Sequence, residues 1–208
     1  GVLGSHMLLA HCVWLKKADM AILANTHSNV VYNAVSNQYL ADGIADIPGL
    51  LRAGVNVAVG PDGAASNNNL NMFNVIKAAV LLQRANTLDV LSLTAEQALE
   101  MATINGAKAI GMEDKIGSLE AGKKADILIL NLNDGTMTPK LSCISNIVYS
   151  ANCSAVDTVI VNGRTVLTDD HFTTVDEAAV YADANKTLSR LVNAGGFQFR
   201  PCTWPIVE

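Results

Sequence analysis

Three short apolar runs, each followed by a stretch with helical spacing, constrain this chain more than any other feature of its sequence. Residues 7–10, 29–32 and 55–59 read as strands, the first of them buried and the third alternating with little charge. Residues 17–25 carry helical spacing through Met20, Ile22 and Leu23. Pro48 opens a second helix that Gly54 stops, and residues 71–84 form a long amphipathic one. Such alternation specifies parallel strands joined by crossover helices, and strands this continuously apolar fit a sheet covered on both faces. Thr94, with Gln97 three residues on, has the form of a capping box, and residues 105–110 add a further turn of helix.

After Met112 the character changes. β-rich runs occupy residues 127–130, 144–149, 156–161 and 165–167, and Asn162-Gly163 between the last two is a hairpin signal. An amphipathic helix over residues 175–192 follows, and residues 197–208 read as a tail. The chain therefore divides at 112: an α/β segment over residues 1–112, then a β-rich segment with a C-terminal helix over 113–208. Three parallel strands alone leave edges unpaired and apolar faces uncovered, which marks the first segment as part of a larger fold.

Half of the 208 residues are apolar, enough for a packed core, and the formal charge of -5 comes with no basic stripe, which argues against a nucleic-acid partner. The apolar runs are too short to span a bilayer. No charged n-region precedes the first of them, so no secretion signal is visible. Gly4-Ser5-His6-Met7 reads equally as a vector-derived scar and as native sequence leading into a strand. The four cysteines, Cys12, Cys143, Cys153 and Cys202, contain no Cys-x-x-Cys pair, so neither a zinc knuckle nor a disulfide framework is indicated. Reduced thiols in a cytoplasmic protein are the expectation.

The polar residues that could carry chemistry follow the strands. His11 follows the first, Asn33 and Ser36-Asn37 the second, and Asp62 the third. In a parallel α/β barrel, catalytic groups sit at the C-terminal ends of strands. Asp62, a carboxylate between glycines, could bind metal or act as a base; on spacing alone it reads more readily as a turn aspartate. His11 could polarise a substrate or bind metal, although a lone histidine beside an apolar strand is more often structural. Gly60 to Gly63 lacks the Gly-Lys-Ser/Thr of a phosphate loop. Ser66 lacks the setting of a nucleophile elbow. His6, His27 and His171 have no helpful neighbours and read as surface residues.

Leu9-Ala10-His11-Cys12-Val13-Trp14-Leu15 resembles the strand-six motif of the amidohydrolase superfamily, and Asp62-Gly63-Ala64-Ala65-Ser66-Asn67-Asn68 resembles its strand-eight segment. Ala102-Thr103-Ile104-Asn105-Gly106-Ala107 is similar to the family's last barrel helix. The run from Ile116 to Asp126 is similar to the loop entering its small β-sandwich, and the run from Val156 to Arg164 to a later strand pair there. The resemblance is strongest to methylthioadenosine/S-adenosylhomocysteine deaminases and related chlorohydrolases. It implies the C-terminal part of a (β/α)8 TIM-like barrel, strands six to eight, followed by part of a β-sandwich.

The same resemblance implies roles. Asp62 would be a metal ligand, zinc or a similar divalent ion, and would take a proton from the metal-bound water. His11 would contact the substrate's reacting group, with Ser66 and Asn67 nearby as substrate-binding residues. The implied reaction is hydrolytic deamination of an adenosine-like or other aminated heterocycle, on a small-molecule substrate and in a possible homodimer. The family's His-x-His after strand one, its strand-five histidine and the glutamate after it have no counterpart here. Tyr32 stands where the family usually has histidine, Ala34 where it has proline, Pro61 where threonine is common and Trp14 where histidine is frequent. Rival readings are a chlorohydrolase or guanine-deaminase-like enzyme, and a non-catalytic truncated or degenerate paralogue. The 208-residue chain by itself is expected to be inactive.

Overall fold

In a computed structural model of the chain, residues 1–197 are described. The tail expected over 197–208 falls, but for its first residue, outside the described residues, as does Cys202. The element order is β1 (Leu8–Ala10), α1 (Lys17–Asn25), β2 (Asn29–Tyr32), α2 (Ala34–Tyr39), α3 (Ile47–Arg52), β3 (Asn56–Val59), α4 (Ala64–Asn67) and α5 (Met72–Thr87). There follow α6 (Ala95–Ala102), α7 (Ile104–Ala109), β4 (Ile127–Leu130), α8 (Cys143–Tyr149), β5 (Val156–Val161), β6 (Arg164–Thr168), β7 (His171–Phe172) and α9 (Glu177–Gly195).

The strands form two sheets. β1, β2 and β3 are parallel in that order, and β4, β5, β6 and β7 are antiparallel in sequence order. No closed barrel forms among the described residues. Val30, Val57, Ile47, Leu50, Val75, Val80, Leu93 and Met101 build the main core between the parallel sheet and its helices. Burying each such side chain contributes about 1.5–3 kcal/mol.

The sequence signals that specify local geometry are realised. Thr94 Oγ1 accepts from the amide of Gln97 at 3.2 Å while Gln97 Oε1 accepts from the amide of Thr94 at 3.0 Å, so two otherwise orphaned donors at the start of α6 are satisfied. Asn162 and Gly163 join β5 to β6 with φ of 50° and 78°, as a hairpin turn matched to strand twist requires. Asp126 precedes β4 directly, next to the bend at Gly122, and its Oδ1 accepts from the amide of Asn162 at 2.6 Å.

The structure differs from expectation at several elements. Residues 144–149 lie in the helix α8, not a strand. Ser142 caps it by accepting from the amide of Ser145 at 3.3 Å, and Ile144, Ile147 and Val148, at the i, i+3, i+4 spacing of a helix face, pack on the main core. The first strand is not buried: Leu8 is 45% exposed, because β1 is the open edge of its sheet. The run 127–130 joins a sheet distinct from β1 to β3, with Leu128 and Ile129, which point to its opposite faces, exposed at 49% and 44%. Likewise α9 is a capped helix, with Asp176 accepting from the amide of Ala179, yet it buries no residue.

One polar contact ties β2 to α5 through the core. Gln83 Nε2 donates to the Tyr32 hydroxyl and to the Ala45 carbonyl, both at 2.9 Å, and Gln83 and Tyr32 are fully buried. Burial pushes the Tyr32 phenol up to about 12, against the lowering effect of the Gln83 bond, so it stays a neutral hydroxyl. Buried polar groups left without partners are costly. We therefore expect Gln83→Leu to destabilise the fold by about 1–3 kcal/mol. Adding Tyr32→Phe should recover part of the loss, because one stranded hydroxyl then disappears. Urea unfolding of the single and double variants measures this; a strictly additive pair would show that the contact carries no coupling.

Candidate active site at the strand ends

His11 and Asp62 meet at the C-terminal edge of the parallel sheet. Register brings them there. Ala10 pairs with Val31 and Val31 with Ala58, so the three strands end level. The ladder extends one step further on each side: the His11 amide donates to Val31 O at 3.0 Å, and the Gly60 amide to Tyr32 O at 3.1 Å. The chain then turns sharply. His11, Cys12 and Asp62 have φ of 68°, 52° and 62°, the left-handed region that residues with a Cβ rarely occupy. Backbone held in this way at a strand end fits a site whose geometry is over-determined by its surroundings.

His11 Nε2 lies 3.7 Å from Asp62 Oδ2, with the two side chains 37% and 29% exposed. The helix α2 supports both. Ser36 Oγ donates to Asp62 Oδ2 at 2.6 Å, and Asn37 Oδ1 sits 2.9 Å from His11 Nδ1. The other carboxylate oxygen, Asp62 Oδ1, accepts from the Gly63 amide at 2.7 Å. The Ser36 bond first, and the Gly63 amide next, hold the Asp62 carboxyl below the usual carboxylate range, with a smaller contribution from His11. Asp62 is thus an ionised carboxylate at neutral pH, with lone pairs left on its open side.

The remaining residues singled out in the sequence fall around this pair. Ser66 is half-buried, and its hydroxyl donates to Gly63 O at 3.1 Å. Asn67 is buried, and its amide donates to Pro61 O at 2.6 Å, which closes the turn that presents Asp62. Asn68 follows in a left-handed conformation with φ 60°, and its amide donates to the Tyr39 hydroxyl at the end of α2. Tyr32 does not reach the site: its hydroxyl meets Gln83 in the core. The substitution of tyrosine for the family's usual histidine therefore acts on the packing of β2 against α5. Trp14 is 85% exposed on the loop after His11. Burial raises the Cys12 thiol, which suits an inert thiol more than a nucleophile. Sequence reasoning placed Ser36 and Asn37 after the second strand but gave them no partners; only the register of the sheet reveals which side chains they touch. A cavity of about 460 Å³ between α6, α7 and β4, lined by Ala102, Ile110, Ile116, Leu119 and Ile127 among others, contains neither His11 nor Asp62.

The donor set fits one side of a metal site and not the whole of one. Asp62 and His11 together offer a carboxylate and an imidazole, whereas zinc takes three or four protein ligands. Among the described residues, no group of three or more His, Cys, Asp or Glu side chains is placed to hold an ion.

The profile of the Amidohydrolase family matches residues 1–166. The chain belongs to the amidohydrolase family. It is 44% identical over 189 residues to the 5-methylthioadenosine/S-adenosylhomocysteine deaminase of Syntrophomonas wolfei, a match covering 91% of this chain and 44% of that protein. It is 45% identical over 192 residues to the 5'-deoxyadenosine deaminase of Methanosarcina barkeri, covering 92% and 44%. Among solved structures, an adenosine deaminase from Xanthomonas campestris with bound zinc superposes with a TM-score of 0.90 at 34% identity, over 93% of this chain and 44% of that one. The zinc complex of an atrazine chlorohydrolase from Arthrobacter aurescens superposes with a TM-score of 0.83 at 24% identity, over 88% and 41%, a likeness of fold alone. The chain spans about 44% of the length of the curated relatives it matches. No helix among the described residues is long and apolar enough to cross a membrane.

The Ser36 contact has a measurable pH signature. A carboxyl held below its unfolded value stabilises the fold at neutral pH, and that contribution is lost as pH falls through the folded-state value. Ser36→Ala should raise the Asp62 carboxyl and cost about 1 kcal/mol near neutral pH, the usual figure for a bond to a charged group being reduced here by solvent screening. The deficit should shrink on acidification. Urea unfolding at neutral and acid pH checks this. A deficit of the same size at both would mean that Ser36 does not stabilise the ionised form.

Proposed function

We propose that this chain is the C-terminal part of a metal-dependent amidohydrolase that removes ammonia from an adenosine-like nucleoside, with β1, β2 and β3 as strands six to eight of a (β/α)8 barrel. The observation that carries the reading is the convergence of His11 and Asp62 on one space at the level ends of parallel strands, the edge where such folds place their chemistry. The identities of 44% and 45% to nucleoside deaminases favour that substrate class over the triazines of the chlorohydrolase, which is less similar at 24%.

Each residue has a part that its surroundings support. Asp62, ionised and steadied by Ser36 and Gly63, serves as one metal ligand and as the acceptor of a proton from the attacking water. His11 steadies the reacting centre of the substrate through Nε2, the nitrogen left open by its contact with Asn37. Ser66 and Asn67 shape the loop on which Asp62 is presented, at the edge of the substrate space. A divalent ion, zinc by analogy with the zinc-bound adenosine deaminase, would supply a water of lowered pKa. The further ligands lie outside this chain. A small-molecule substrate, a cytoplasmic setting and a homodimeric whole protein belong to the same reading.

The test is metal content after dialysis, together with ammonia release from a panel of aminopurines and aminotriazines. The 208-residue chain alone should hold well under one equivalent of zinc and release no ammonia. The full-length protein should do both, with aminopurine nucleosides preferred. Asp62→Asn in that protein should lower turnover by about 10²-fold or more, since an amide accepts no proton from water. If the chain alone keeps one equivalent of metal and turns over at about 1–1000 per second, a complete site exists within it and the division of the active site proposed here is wrong.

A further inference from the structure

Ser36 and Asn37 are consecutive, and each holds a different member of the His11–Asp62 pair. The placement has a geometric cause. β2 lies between β1 and β3, so α2, which leaves β2 after a single residue, is flanked by the loops of both neighbours. Successive helical residues point about 100° apart, so one is turned toward the loop after β3 and the next toward the loop after β1. Both are buried, Ser36 at 0% and Asn37 at 1% exposure. Of this buried carboxamide only Oδ1 has a side-chain partner, the His11 ring, while Nδ2 has no hydrogen-bond partner among the described residues, so the contact to His11 is the one that anchors it.

We propose that Asn37 is a positioning residue that fixes both the orientation and the tautomer of His11. The inference rests on the reading of His11 as a working group of the site. Asn37 Oδ1 is an acceptor, so at 2.9 Å from Nδ1 it requires a proton on that nitrogen. Neutral His11 then presents a bare Nε2 to the space it shares with Asp62 Oδ2, 3.7 Å away. Two acceptors facing one space call for a donor or a cation between them, which is the demand a hydrated ion or a substrate N–H meets. With Asn37 removed, the ring is free to rotate about its Cβ–Cγ bond and to exchange tautomers, and the shared space loses its defined polarity. A histidine's second nitrogen commonly sets the role of its first in this way.

The test needs no activity. Long-range proton–nitrogen spectra of the metal-free 208-residue chain, recorded at rising pH until the patterns no longer change, report the tautomer of each ring. The His11 signals are assigned by their loss in His11→Gln. Wild type should show His11 in one form, with the proton on Nδ1. Asn37→Ala should give the averaged pattern of an unrestrained imidazole, and Asn37→Asp, which keeps an acceptor at the same place, should restore the single form. Amide spectra confirm that each variant is folded; if Asn37→Ala is not, Asn37→Ser, too short to reach the ring, takes its place. A wild-type His11 that is averaged or protonated on Nε2, or a pattern unchanged in the alanine or serine variant, overturns the proposal. A fixed His11 in a full-length protein that releases no ammonia would overturn the functional reading and leave the positioning intact, so the two failures are told apart.

Discussion

The level register of three parallel strands is the constraint on which the rest of this molecule depends. A shift of one residue in any strand would turn its side chains to the opposite face and withdraw its end from the common edge. The pairing of Leu8 with Asn29 and of Asn29 with Asn56 fixes one end of the sheet. There the Asn56 side chain adds a second lock, donating to Asn29 Oδ1 at 2.9 Å and to the Asn105 carbonyl at 3.0 Å. Asn29 in turn donates to the carbonyls of Ser5 and Met7. This polar ladder lies at the N-terminal ends of the strands, where such folds concentrate residues for stability, while His11, Ser36, Asn37 and Asp62 gather at the other.

The division of labour continues through the helices. α5 and α6 cover the sheet with apolar side chains, and Gln83 and Arg84 on α5 make the polar ties. Gln83 reaches Tyr32 and Ala45, while Arg84 reaches Leu93 O, donates to the Tyr149 hydroxyl at 2.6 Å and places its guanidinium 5.2 Å from the Tyr149 ring centroid. The last contact draws α8, from the second segment of the sequence, onto the core of the first. The short helices α2 and α4 bury little apolar surface by comparison. Their residues are committed instead to the loops that carry His11 and Asp62, so the site is held by hydrogen bonds on a base held by packing.

Periodic features of this fold were legible in the sequence, and features that depend on which elements meet were not. The capping box of Thr94 and Gln97 and the Asn162-Gly163 turn are local chemistry and could be read directly. Residues 144–149 misled because Ile144, Ile147, Val148 and Tyr149 are of the β-branched and aromatic types that favour strands; their 3.6 period and the Ser142 cap carried the correct information. The exposure of Leu8 was hidden because an apolar strand reads the same whether its neighbour is present or not. At the site, the placement of His11 and Asp62 after apolar strands could be read directly, but position alone favoured a structural histidine and a turn aspartate, and only the family resemblance singled them out. The partners of Ser36 and Asn37 were not legible, because a polar helix of six residues has no periodic signature and those contacts span 26 residues.

The hydrogen-bond capacity of Asp62 decides how this carboxylate can meet a ligand. A carboxylate offers about four lone-pair directions, and Ser36 and Gly63 occupy one on each oxygen. The pair of donors fixes the plane of the group, so the two free directions are aimed and need no reorganisation when a ligand arrives. One suits a cation and the other a water proton, which is the double duty proposed for this residue. Fixing the plane also removes the freedom by which an isolated carboxylate could wrap an ion from both sides. The same bonds that prepare Asp62 for chemistry therefore leave it a single, directed ligand, one of the three or four that a stable zinc site takes.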